Sequence, residues 1–334
     1  MNSQRIKSGE TTERIPPSIP VTGSTDQSGI IVRGLTRFFG GVRAVDDLSF
    51  SVRAHTIFGL VGPDGAGKTT TMRMLCSLID PTGGSALIHG LDIRSDRRRI
   101  RQLMGYMPQR FSLYGDLTVL ENLEFYSDIY QIPPDIRKKR IGELLEFSNL
   151  SDHVGKLADQ LSGGMKQKLA LSCNLIHAPR YLFLDEPTIG VDPVARRELW
   201  KILFDLRDQG TTIFVSTPYM DEAERCDEIG LMDQGRIILQ GPPRQIIRHF
   251  SKEIMGVYSK DNHLVREAMT HSDYAEDAYM LGDALHIVTT QPSALSKDLD
   301  ELSFMYSLEL TKQLTQPSLE DVFVHLVKTN REVM

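Results

Sequence analysis

Gly62-Pro63-Asp64-Gly65-Ala66-Gly67-Lys68-Thr69-Thr70 fits the pattern G-x-x-x-x-G-K-[ST], a glycine-rich loop that closes around phosphate groups. Its flanks supply the setting the pattern needs. Thr56-Ile57-Phe58-Gly59-Leu60-Val61 reads as a short buried strand, and Thr70-Thr71-Met72-Arg73-Met74-Leu75 opens like a helix. Glycine lets backbone N–H groups turn toward phosphate oxygens, and a helix N-terminus adds partial positive charge. Lys68 can then reach the β- and γ-phosphates of a nucleotide, and the Thr69 hydroxyl can ligate Mg²⁺. Strand, loop and helix start together mark a nucleotide site.

A second signal lies downstream. Tyr181-Leu182-Phe183-Leu184-Asp185-Glu186 reads as a buried strand ending in two carboxylates, and α/β sheets gather their ligands at such strand ends. Beside a phosphate loop, Asp185 is a natural partner for Mg²⁺ and Glu186 a candidate general base for water. Thr211-Thr212-Ile213-Phe214-Val215-Ser216 reads as another strand, followed by a turn and the acidic helix Met220 to Arg225.

Upstream, Ile30 to Leu35 and Ala44 to Val52 look like antiparallel strands. Phe39, on the turn between them, reads on its own as a strand-edge aromatic. Ser85 to Gly90 is a strand whose lone His89 is structural, and the basic run Arg94 to Arg101 is a solvated helix face. Met104 to Gln109 reads as a strand running into a loop. From 115 to 160 the pattern is helical, with Thr118 and Glu121 spaced for a capping box. Leu161-Ser162-Gly163-Gly164-Met165-Lys166-Gln167 then opens a further helix, whose start is a second potential anion site.

Composition bounds the rest. The chain has 334 residues, enough for two domains or three. A net charge of -6 gives no bulk electrostatic signal for nucleic acid. No apolar run approaches the ~18 residues of a membrane span, and the N-terminus has no signal-peptide core. Cys76, Cys173 and Cys226 lack metal-ligand spacing and read as small core residues in a reducing compartment. Residues 1–29, rich in Ser, Thr, Pro and Gly, are expected to form a disordered leader. Beyond Gly241-Pro242-Pro243 the order strand (254–259), helix (262–270), strand (274–281), strand (284–290), helix (293–302), strand (305–313) is that of a ferredoxin-like sandwich, followed by a helix (318–328). It carries no catalytic constellation and reads as an accessory domain.

With the phosphate loop, Gln109, Leu161 to Gln167 and Leu184-Asp185-Glu186 in this order, residues 30–245 resemble the ATP-binding subunit of an ABC transporter. Leu161 to Gln167 looks like the signature that separates this family from other phosphate-loop ATPases. Pro187-Thr188-Ile189-Gly190-Val191-Asp192-Pro193 looks like the D-loop region. Tyr219-Met220-Asp221-Glu222-Ala223-Glu224 and the ending Pro317 to Phe323 are similar to exporter subunits that work with ABC-2-type permeases. The resemblance implies an α/β ATPase core with antiparallel β and helical subdomains (the latter about 112–178); the element order beyond it gives the accessory α+β domain over 250–334. It implies that Phe39 stacks on adenine, and that Gln109 takes part in metal contact and catalysis with Lys68 and Glu186. Two subunits would meet head to tail, with Ser162, Gly163 and Gly164 of one acting on the γ-phosphate held by the other. The implied ligands are ATP and Mg²⁺. The implied partners are a second ATP-binding subunit and a membrane permease, at the cytoplasmic face of the membrane.

Two positions depart from the family pattern. Asp64 stands where asparagine is usual and adds a carboxylate near an anionic ligand. Pro218 stands where the family has its switch histidine, and proline offers neither a side-chain donor nor a backbone N–H. Slow hydrolysis is therefore expected, and a mainly regulatory ATP-binding subunit stays open. A soluble ABC protein acting on ribosomes or DNA is the other alternative. Against it stand the single phosphate loop, the single signature, and the lack of sustained heptads between Lys68 and Asp185.

Overall fold

Ile57–Val61 is buried at every position, as a central parallel strand must be. It pairs in parallel with Thr212–Thr217 on one side and Glu228–Asp233 on the other. The complete sheet runs Arg236–Gly241, Glu228–Asp233, Ile57–Val61, Thr212–Thr217, Tyr181–Asp185, Met104–Met107, and only its first strand is antiparallel. The phosphate loop and the Asp185-Glu186 pair thus leave the same edge of one sheet, separated by a single strand. This computed structural model describes residues 29–109 and 113–333. The expected leader lies, but for Gly29, outside the described residues.

A second sheet of four antiparallel strands runs Val42–Val52, Ile30–Phe39, Gly83–Ile88, Leu91–Asp92. Aromatic packing joins the two sheets. Phe50 stacks on Phe58 with ring centroids 5.5 Å apart, and Phe58 on Phe214 at 5.3 Å. Phe58 belongs to the strand that leads into the phosphate loop, and the stack buries that strand in the core. Three helices, Val119–Ile129, Pro134–Phe147 and Gly163–Leu175, fall in the region expected to be helical. The Thr118–Glu121 capping box forms as its spacing predicts. All three cysteines are free and buried.

The C-terminal unit contains Glu253–Ser259, Asn262–Met269, Asp277–Leu281, Ala284–Thr289, Pro292–Tyr306 and Leu310–Thr315. Its sheet order is Asp277–Leu281, Ala284–Thr289, Glu253–Ser259, Leu310–Thr315, antiparallel throughout, which is the ferredoxin-like arrangement. One boundary differs from expectation. Met305 and Tyr306 read as the start of a strand, yet the helix continues through them. Ser307, left-handed at φ 51°, ends it, and the strand starts at Leu310.

The last helix, Leu319–Val333, packs on both units. Leu319 and Val322 are buried in the same apolar cluster as Trp200, Ala223 and Ile246 of the nucleotide core. Between them Asp321 turns to the small sheet, where it accepts from the Tyr279 hydroxyl at 2.8 Å and meets His286 Nδ1 at 2.6 Å. Burial pushes the Asp321 carboxyl up, but hydrogen bonds from His286, Ser318 and Tyr279 outweigh it and hold the carboxyl below its usual range. A depressed carboxylate contributes stability that is fully present above its unfolded value, near 3.9, and is lost as pH falls through the folded one. Asp321→Asn should therefore flatten the acid limb of the pH–stability curve below about pH 4. Denaturant unfolding at stepped pH checks this; identical acid limbs would contradict it.

Candidate functional site

Gly67 shows why the loop needs glycine. It sits at φ 104°, and a Cβ there would stand 2.4 Å from the Ala44 carbonyl oxygen. The helix Lys68–Leu75 starts directly after it, two residues earlier than the sequence reading placed it. The loop, Gln109 and Glu186 together line a cleft of about 290 Å³, with Ala44, Asp64, Gly65, Gly67, Lys68, Thr69 and Thr70 on its walls. Asp64 is exposed at its rim.

Lys68 is buried, and its Nζ donates to the carbonyl oxygens of Gly62 at 2.8 Å and Pro63 at 3.0 Å. It also lies 3.1 Å from Glu186 Oε1, with both side chains only 4% exposed. The other Glu186 oxygen accepts from Gln109 Nε2 at 2.8 Å. Each oxygen of the candidate base is therefore held by a partner that faces the same cleft. Glu186 itself is left-handed at φ 52°, a conformation that costs a non-glycine residue energy and must be held by its surroundings.

Ser216 does much of that holding. Its hydroxyl accepts from the Glu186 N–H at 3.1 Å and donates to Asp185 Oδ1 at 2.6 Å. Asp185 Oδ1 also accepts from the Thr69 hydroxyl at 3.1 Å, while Oδ2 is buried without a hydrogen-bond partner. A hydroxyl and a carboxylate with one orphaned oxygen suit a hard cation that takes its remaining ligands from phosphate and water, as Mg²⁺ does. Gln109 faces the same cleft, and its amide nitrogen is engaged with Glu186. The sequence reading missed Ser216 as a positioning group. The available signal was a hydroxyl at the end of the strand beside the carboxylates.

Other candidates lie elsewhere. Phe39 is 46% exposed at the end of its strand, with the Arg37 guanidinium 4.5 Å from its ring centroid, and it does not line the cleft. Ser162 caps the helix Gly163–Leu175, its hydroxyl accepting from the Met165 N–H at 3.3 Å. Neither it nor Gly163 nor Gly164 lines the cleft of its own chain.

Comparison with known proteins shows the family. A family profile described as ABC transporter matches residues 45–189. The Nod factor export ATP-binding protein I of Ralstonia nicotianae (strain ATCC BAA-1114 / GMI1000) is 38% identical over 321 residues, covering 95% of this chain and 98% of that one. The chain belongs to the ATP-binding proteins of ABC transporters. It is also similar to the probable multidrug ABC transporter ATP-binding protein YbhF of Escherichia coli (strain K12), 38% identical over 302 residues. That match covers 89% of this chain but 52% of YbhF, so the chain spans about half the length of that relative. A solved structure described as the ATP-binding subunit of an ABC transporter superposes with a TM-score of 0.61 at 28% identity, covering 66% of this chain and 93% of that one. As an ABC ATP-binding domain, the chain binds ATP. Among the described residues no helix is long and apolar enough to cross a membrane.

Proposed function

We propose that this chain is the ATP-hydrolysing motor subunit of an exporter, working with an ABC-2-type membrane permease. The observation that carries the reading is the convergence of Lys68, Thr69, Gln109 and Glu186 on one cleft, with Asp185 bonded to Thr69 beneath it, while Ser162, Gly163 and Gly164 stand outside it. A site so divided is completed by a second subunit placed head to tail, whose signature helix start covers the γ-phosphate. The relatives' names, Nod factor export and multidrug transport, support export rather than uptake.

The chemistry follows from the contacts. Arriving phosphates draw Lys68 toward their charge and weaken its hold on Glu186. Glu186 is then free to accept a proton from the water that attacks the γ-phosphorus, and ADP departs with the β–γ bridging oxygen. Gln109, released from Glu186, orients that water. Thr69 and Asp185 would hold Mg²⁺, which supplies charge neutralisation at the β- and γ-phosphates. Binding closes the dimer and hydrolysis opens it. Gln109 and the helical region pass that motion to the permease at the cytoplasmic face of the membrane.

One observation favours a second reading, a mainly regulatory subunit: Pro218 follows the strand Thr212–Thr217 where a γ-phosphate donor is expected. Pro218→His supplies that donor and should raise turnover about tenfold, against the ~10²–10³ that one transition-state hydrogen bond is worth when fully formed. Steady-state ATPase assays, with and without the membrane partner, check this. Fast wild-type turnover that falls in the variant would show that another group already makes the contact.

A further inference from the structure

We propose that Arg196 is a positioning residue for hydrolysis, tying the signature helix to the strand end that holds both catalytic carboxylates. The proposal rests on the ATPase reading above and adds to it a route between the two halves of the divided site. Arg196 lies in the first turn of the helix Pro193–Asp208, directly after the Asp192 cap. At the preceding residue that helix meets the signature helix so closely that a Cβ on Gly164 would stand 2.5 Å from Ala195 Cβ. Arg196 itself reaches the turn around Pro218 that follows the strand Thr212–Thr217. There the Arg196 guanidinium covers the Tyr219 ring at 4.7 Å from its centroid. Its Nε lies 3.5 Å from Glu222 Oε1 and its Nη1 3.9 Å from Asp221.

Glu222 is wholly buried and carries the connection inward. Its Oε2 accepts from the Thr217 hydroxyl at 2.7 Å, and that hydroxyl in turn accepts from the Tyr219 N–H at 3.1 Å. The Thr217 carbonyl accepts from the Gly62 N–H at 3.3 Å, at the start of the phosphate loop. The neighbouring Ser216 is the group that bridges Asp185 and Glu186. A continuous line of contacts therefore runs from Gly164 through Ala195, Arg196, Glu222 and Thr217 to the carboxylates and the loop. Pro218 lies inside the bracket formed by Thr217 and Glu222 and offers no donor of its own. The turn is accordingly held by groups outside it, and Arg196 is the cation set against its buried carboxylate, as an ion pair without a hydrogen bond at Nε. A shift of the signature helix when a second subunit engages it reaches the carboxylates by this line. A misplacement of about 1 Å at a reacting group can change a rate by about 10²-fold.

The test is steady-state ATP turnover of the full chain carrying Arg196→Ala or Arg196→Lys. Arg196→Ala is expected to lower kcat by about tenfold or more, in the range seen when a supporting contact is lost, with KM for ATP within about twofold. Arg196→Lys, which keeps the charge but loses the planar fork and the ring stacking, should recover part of that loss. Thermal midpoints of both variants separate this from unfolding. Wild-type kcat in both variants overturns the proposal. So does a loss of activity that follows the loss of folded protein, or a KM that rises with kcat unchanged. A wild-type chain that binds ATP but never turns it over overturns the ATPase reading instead, which the wild-type arm detects on its own.

Discussion

Lys68→Ala should reduce ATP turnover by about 10³-fold, because it removes the charge that meets the β- and γ-phosphates. The same substitution should also destabilise the nucleotide-free protein. Glu186 is 4% exposed and loses the cation 3.1 Å from its Oε1, leaving Gln109 as its remaining side-chain partner. Breaking a buried ion pair from one side costs about 3–5 kcal/mol. Adding Glu186→Gln to Lys68→Ala should restore much of that stability, since the buried charge disappears with it. Nucleotide-binding titrations and denaturant unfolding of the wild type and both variants check both effects. Wild-type ATP affinity and turnover in Lys68→Ala would remove the site assignment.

Glu186→Gln should keep ATP binding and lower turnover by about 10²–10⁴-fold, the usual worth of a general base. The amide retains the shape of the carboxylate and still accepts from Gln109, so the cleft stays formed. With the base neutral, the protein should accumulate in the ATP-bound, closed dimer. Light scattering after gel filtration in MgATP should show that dimer, and its dissociation when nucleotide is withdrawn. Turnover at the wild-type rate would reject Glu186 as the base.

The phosphate loop was legible in the sequence because its chemistry is local: a strand, a glycine turn and a helix start within about a dozen residues. The Asp185-Glu186 pair was legible for a related reason, since a buried strand ending in carboxylates points to the ligand edge of a sheet. What joins them was not legible. The Lys68–Glu186 pair and the Ser216 bridge connect residues far apart in sequence, and only the strand order brings them together. Phe39 and the signature residues had no local signal strong enough to set them apart from an edge aromatic and a helix cap, so the family resemblance carried them. The last helix shows the same limit. The helix over 318–328 was legible, but nothing in it says that Leu319 and Val322 pack on the nucleotide core while Asp321 turns to the small sheet. The helix end at Tyr306 was hidden because aromatic residues favour strands on average, and a left-handed cap at Ser307 overrode that preference.

Release of inorganic phosphate by the wild-type full chain in MgATP decides whether this cleft hydrolyses ATP. Release should saturate with ATP, fall away in Lys68→Ala and Glu186→Gln, and rise in Pro218→His. Tight ATP binding with no phosphate release, alone or with the membrane partner, would contradict hydrolysis here and leave a regulatory subunit.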